Sequence, residues 1–240
     1  MDPKVIAELA PTGVLRAGIN LSNFLLVSGR DTRNEPQGVS PDIAAEIARR
    51  LGVPVQYITF EGPGQLADQA GQNVWDIGLI GAEPQRAKTI AFTPAYAQIE
   101  ATYLVPARSP IQSIDEVDKA GVRIAVTGRA AYGLWLARNV QQASLMTADS
   151  LDASYDIFVA NDYEALAGLR PRLLTDQQRL PGSRILDGYF STVQQAIGTA
   201  PGNEAAIAFL RGVVADIKAS GFVAQRIAHH RVEGLAVAGD

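Results

Sequence analysis

The chain has no cysteine among its 240 residues. That absence removes disulfides, thiolate nucleophiles, iron–sulfur ligation and a lipid-bearing cysteine, and it leaves the compartment unreadable from redox chemistry. Histidine is scarce: His229 and His230 are the only two, adjacent in an expected helix end near the C-terminus. Helix-terminal or solvated roles suit them better than catalysis, no metal-ligand spacing occurs, and neither a metal nor a cofactor is expected. No apolar run approaches the roughly 20 residues of a membrane span. The first eight residues lack a basic stretch followed by an apolar one, so either a leader was removed or there was none. Basic charge is not in excess, since 21 Lys and Arg stand against 25 Asp and Glu for a net charge of −4. Without a basic stripe the footprint of a nucleic-acid binder is missing, and no nucleic-acid partner is expected. Phosphate-binding loops, dinucleotide fingerprints and a nucleophile elbow are also absent, and Gly62-Pro63-Gly64 reads as a turn.

What is present is ordinary globular composition, 47% apolar and 19% charged, in a chain long enough for two lobes of roughly 100 residues each. Strands are expected over residues 14–19 and 55–60, with a loop over 28–38 and a helix between. Ser40 suits the cap of that helix and Pro41 its first turn; Ile43, Ile47 and Leu51 share a face, and Gly52 stops it. A short helix near 65–70 and the apolar strand Ile77-Gly78-Leu79-Ile80 complete a β/α alternation, which argues a mostly parallel sheet covered by helices. A second cycle begins after Pro106: the strand 122–126, the turn Thr127-Gly128-Arg129-Ala130, then a helix with Tyr132, Leu136 and Val140 in register. Backbone N–H groups at that strand-to-helix turn favour an anion, and Arg129 stands there as either a second cation or a surface residue. After a further strand over 192–198, Asn203 opens a long helix with the stripe Ile207, Leu210, Val214 and Ile217. Gln194 and Gln195 alternate in that strand, so one faces a binding cleft and the other points away; Gln195 is taken as the facing one.

Four stretches together resemble the solute-binding protein family 3, the amino-acid-binding components of ABC importers. They are Gly13-Val14-Leu15-Arg16-Ala17-Gly18; Gly38-Val39-Ser40-Pro41-Asp42-Ile43-Ala44; the block from Trp75-Asp76-Ile77-Gly78 through Gly81, Pro84-Gln85-Arg86-Ala87-Lys88 and Phe92-Thr93-Pro94-Ala95-Tyr96; and Gly121-Val122-Arg123-Ile124-Ala125-Val126 with Gly128. The third is the specific one. The resemblance implies an α/β, two-lobed, periplasmic-binding-protein-like fold of type II, with two mixed sheets flanked by helices and two hinge strands. Lobe one is then 1–102 with 199–240, lobe two 107–192, and the hinges lie at about 103–106 and 193–198.

By the same resemblance the protein is a monomeric periplasmic receptor that captures a small carboxylate-bearing molecule, an organic acid or an amino acid, for the membrane subunits of an ABC importer. Arg86 grips the ligand's carboxylate, because a planar guanidinium fits a carboxylate bidentately and stays charged when desolvated. Gly81 belongs to the same block. Phe24 stands where the family packs an aromatic on the ligand, with Asn20 and Asn23 serving either a polar tail or a local turn. The family's ammonium-pairing Asp is replaced at about Gly168, so the ligand lacks an amino group unless Glu164 or Glu100 substitutes. Two alternatives remain. One is a lyase on this scaffold, of the cyclohexadienyl or prephenate dehydratase type, with Glu83, Glu100 or Glu164 as its general acid. The other is a cytoplasmic sensor.

Overall fold

The computed structural model describes residues 1–239. They divide into two compact units, the first made of residues 1–98 and the stretch from Gln194 onward, the second of residues 99–193. Unit 1 opens with α1 (Pro3–Leu9), β1 (Leu15–Asn20), β2 (Gly29–Arg30), β3 (Pro36–Gln37), α2 (Val39–Leu51), β4 (Val55–Phe60), α3 (Pro63–Asp68), β5 (Ile77–Ala82), a 3-10 turn (Arg86–Lys88) and β6 (Ala91–Phe92). The strand β7 (Ala97–Val105) carries the chain into unit 2, which holds β8 (Arg123–Thr127), α4 (Ala131–Asn139), β9 (Ser144–Ala148), α5 (Leu151–Ala160), β10 (Ala165–Leu169), α6 (Arg170–Arg179) and β11 (Arg184–Ile185). The strand β12 (Ser191–Thr199) returns to unit 1, and α7 (Glu204–Ala219), α8 (Phe222–His229) and β13 (Ala236–Val237) end the fold.

In unit 1, β1 lies between β4 and β5 and is parallel to both, in the registers Gly18↔Ile58 and Gly18↔Gly78. The strand β12 runs antiparallel to β5 through Gln195↔Gly81 and Ile197↔Leu79. Leu66, Trp75, Ile80 and Ile90 form one core cluster. The Trp75 indole spends its N–H on the Leu66 carbonyl, 3.1 Å away, which lets a large ring be buried without an orphaned donor. Buried Asp76 is gripped by Arg16, whose Nε and Nη2 donate to its two oxygens at 3.0 and 2.6 Å, so the start of β5 is fixed to β1. The helix α2 buries Ile43, Ala44, Ile47, Ala48 and Leu51, carries Asp42 in its first turn and Arg49 and Arg50 in its last, and ends on Gly52 with φ +75°. Those charges complement the helix dipole at both ends.

Its N-terminus differs from expectation. The cap is Gly38, at φ +146°, where a Cβ would lie 2.3 Å from the Leu26 carbonyl oxygen; only glycine fits. Ser40 is instead buried with its hydroxyl 3.0 Å from that of Tyr96. Gly62-Pro63-Gly64 likewise opens a helix, with Gly62 as the cap of α3 and Pro63 in its first turn. Proline's fixed φ and missing N–H suit that position as well as they suit a turn.

In unit 2, β10 pairs antiparallel with β7, as in Gly168↔Thr102, and parallel with β8, as in Leu166↔Ala125; β9 lies parallel to β8 on its other side. Leu104, Ala125, Tyr155, Phe158, Leu166 and Leu173 are part of its core cluster. The helix α4 crosses so close to the end of β8 that a Cβ on Gly133 would sit 2.2 Å from the Thr127 carbonyl oxygen. The contact fixes where α4 begins.

Candidate functional site

In unit 1 the parallel strands β1 and β5 finish at the same edge of the sheet, and carboxyl-terminal strand edges are where open α/β sheets bind ligands. Asn20 ends β1, and its Oδ1 accepts from the backbone N–H and hydroxyl of Ser22 at 3.2 and 2.8 Å. Asn23 is buried, with its Oδ1 accepting from the Leu25 N–H at 3.2 Å. Both asparagine oxygens therefore close turns, and they hold up Phe24, which is 41% exposed.

At the end of β5 the chain turns on Glu83. This buried carboxylate accepts from the Gln85 N–H at 3.1 and 3.0 Å and from the Arg86 N–H at 3.2 Å. The turn places Arg86, itself 5% exposed, so that its Nη1 donates to the Gly81 carbonyl at 2.7 Å. Gln195, on β12, is the direct partner of Gly81 across the strand pair. Arg86 and Gln195 thus each adjoin Gly81 within unit 1. Sequence reasoning considered Glu83 only as an acid; its spacing ahead of Gln85 and Arg86, in which a carboxylate bonds the N–H groups two and three residues on, is the signal for a turn-closing role.

In unit 2, Thr127, Gly128, Arg129 and Ala130 form the turn between β8 and α4. The Thr127 hydroxyl lies 3.0 Å from that of Ser154. The Gly128 N–H donates to the Ala148 carbonyl at 3.1 Å and the Ala130 N–H to the Thr127 carbonyl at 3.2 Å. Those two N–H groups are spent within the fold, which corrects the expectation that the whole turn offers its backbone donors to an anion. Arg129 is exposed, and Ala130 caps α4 without a side-chain bond.

Glu164 and Glu100, both in unit 2, are engaged. Glu164 is held by Arg123 in a two-point pair, Nε to Oε2 at 2.9 Å and Nη2 to Oε1 at 2.7 Å; these bonds hold its carboxyl below the usual range. Glu100 accepts from Arg170 Nε at 2.7 Å. A Cβ on Gly168 would meet Leu173 Cδ2 at 2.9 Å, so a side chain there points under α6. The next residue, Leu169, is uncharged.

His230 ties α8 to α2, while His229 is exposed. His230 follows α8 and places Nε2 2.8 Å from Asp42 in the first turn of α2, with Nδ1 3.3 Å from the Ser28 hydroxyl. Among the described residues no group of three or more His, Cys, Asp or Glu is placed to hold a metal, and no helix is long and apolar enough to cross a membrane.

Two α/β units, joined by two strands that each run from one to the other, define the type II periplasmic-binding-protein fold. A family model matches residues 16–230, and the chain belongs to the bacterial extracellular solute-binding proteins, family 3. No curated protein matches it. Among solved structures, the solute receptor for L-cysteine of Neisseria gonorrhoeae superposes with a TM-score of 0.76 at 18% identity, covering 98% of this chain and 99% of that one. A mutant of ArgBP from T. maritima gives 0.75 at 19%, covering 95% and 100%. An ancestral amino acid-binding protein, a precursor of cyclohexadienyl dehydratase, gives 0.73 at 18%, covering 93% and 98%. At these identities the likeness is one of fold.

Proposed function

We propose that the chain is an extracytoplasmic, monomeric receptor that captures a small carboxylate-bearing solute, releases it unchanged to the membrane subunits of an ABC importer, and uses Arg86 as its carboxylate grip. The observation that carries the reading is the setting of Arg86. A buried guanidinium is costly unless it has anionic or strongly polar company, and this one is preplaced by the Glu83 turn and by its bond to the Gly81 carbonyl. Preorganisation of this kind lowers the ordering cost of binding. Arg129 and the first turn of α4 supply the contact from unit 2, and the two units close on the solute.

The solute lacks an α-amino group in this reading. An ammonium taken out of water needs an anionic partner. Position 168 is glycine, Leu169 follows it, and Glu164 and Glu100 are already paired with Arg123 and Arg170. In a thermal-shift screen, non-amino carboxylates are expected to raise the melting temperature more than the standard amino acids do. An L-amino acid bound at micromolar affinity or tighter, above every non-amino acid, reverses this ranking. The lyase alternative calls for a carboxyl held protonated near the reacting group; Glu164 is shifted the other way, while Glu83 and Glu100 are occupied in a turn and an ion pair.

A further inference from the structure

Buried polar side chains in folded proteins find hydrogen-bond partners, and an exception calls for a reason. Among the described residues, thirteen polar or charged ones other than tyrosine and tryptophan are buried. In unit 1, Ser40 bonds Tyr96, Asp76 bonds Arg16, Thr93 accepts from the Ile197 N–H and Thr199 donates to the Asp76 carbonyl. Gln195 alone, 3% exposed, makes no side-chain hydrogen bond among the described residues. Its main chain is satisfied, since its carbonyl accepts from the Tyr96 N–H at 2.8 Å. Among the described residues, the sealed side-chain polar atoms without a partner are Tyr132 Oη and Arg226 Nε. The Gln195 amide is not among them, so the small exposed fraction of this residue includes its amide.

We infer that Gln195 is a specificity residue that reads a neutral hydrogen-bonding group, a hydroxyl or carboxamide, on the carbon next to the ligand's carboxylate. The placement follows from the strand pair: Gln195 sits directly opposite Gly81, whose carbonyl takes the Arg86 guanidinium. Gly81 has no side chain to cover the space opposite Gln195, and directly opposed residues are close neighbours across a strand pair, so the Gln195 side chain and the carboxylate grip both border this one residue. The chemistry follows from the amide itself. It presents one acceptor and two donors, and a hydroxyl answers both because it donates and accepts. A methylene answers neither, and an ammonium, which only donates, leaves the NH₂ unanswered. A site built to bond such a group discriminates strongly against analogues that lack it, because its own polar atoms are then left buried and unpaired.

This inference rests on the carboxylate-receptor reading, and the test separates the two. Calorimetry is run with L-lactate, L-malate and L-phenyllactate, each beside its deoxy and amino counterpart, on the wild type, Gln195→Leu and Arg86→Ala. At least one hydroxy acid is expected to bind the wild type ten times or more tightly than its deoxy partner and no less tightly than its amino partner. Gln195→Leu is expected to shrink the hydroxy-to-deoxy ratio to about threefold or less, and Arg86→Ala to weaken both members. Unliganded Gln195→Leu should melt at the wild-type temperature or above, because no internal hydrogen bond is lost. Equal binding of hydroxy and deoxy acids, an unchanged ratio in Gln195→Leu, or a sharp fall in its melting temperature overturns the role of Gln195 and leaves the receptor reading standing. Binding of none of the nine compounds overturns the receptor reading, and this inference with it.

Discussion

Arg86→Ala is expected to abolish binding of the best carboxylate while unit 1 remains folded. The side chain is buried at the end of β5, where its Nη1 donates to the Gly81 carbonyl, and alanine removes the counter-charge while leaving the β1–β5 pairing and the Arg16–Asp76 clamp in place. Truncating one partner of a desolvated charge pair costs about 2–5 kcal/mol of binding, roughly 30-fold to several thousandfold. Arg86→Lys keeps the charge and loses the planar fork, and is expected to lose at least about tenfold. Calorimetry on both variants, with circular dichroism to check folding, reads this directly. A loss below tenfold for Arg86→Ala places the carboxylate elsewhere.

The largest expected stability effect lies in unit 2. Asp176, on α6, has a side chain 2% exposed and accepts from Arg172 Nε at 2.9 Å and from Arg179 Nη1 at 3.2 Å. Arg172 also reaches Asp152 on α5 at 2.6 Å, and that bond holds the Asp152 carboxyl below its ordinary range. Arg179 lies over the Tyr155 ring, 3.8 Å from its centre. Asp176 is thus the buried centre of a network joining α5 to α6. Its removal leaves two guanidiniums crowded beside the core cluster; a broken buried pair costs about 3–5 kcal/mol, and the partial exposure of Arg179 together with the remaining Asp152 puts Asp176→Ala near the lower end. Asp176→Asn keeps the shape and half the bonding, and is expected to cost about half as much. Denaturant unfolding followed with hydrogen exchange should show the loss in α5 and α6. A change under about 1 kcal/mol means the network is solvated.

The alternation of apolar strands with amphipathic helices was legible because each rests on local periodicity: the Ile43, Ile47, Leu51 face of α2 and the apolar run of β5 fix both elements before any tertiary contact is considered. What local pattern did not reveal is set by contacts distant in sequence. Ser40 has the side chain of a helix cap, yet it bonds Tyr96, 56 residues away, and the cap falls to Gly38 because the Leu26 backbone passes within a Cβ's reach. The short helix α1 carried no strong stripe and was not anticipated. At the candidate site, the motif pointed to Arg86 and Gly81, and strand alternation narrowed the returning strand to one of Gln194 and Gln195; the Glu83 turn beneath Arg86 and the pairing of Glu164 with Arg123 across 41 residues depend on the folded geometry. The availability of backbone donors at Gly128 and Ala130 was overestimated for the same reason, since the partner of Gly128 lies on a neighbouring strand.

Binding without chemistry is tested most directly by calorimetric titration of the wild-type chain with a panel of small carboxylates, prephenate included, followed by mass spectrometry of the recovered ligand. The expected result is one carboxylate per chain, bound at micromolar affinity or tighter and recovered unchanged. Conversion of prephenate to an aromatic product, or the absence of binding by every carboxylate at millimolar concentration, would contradict it.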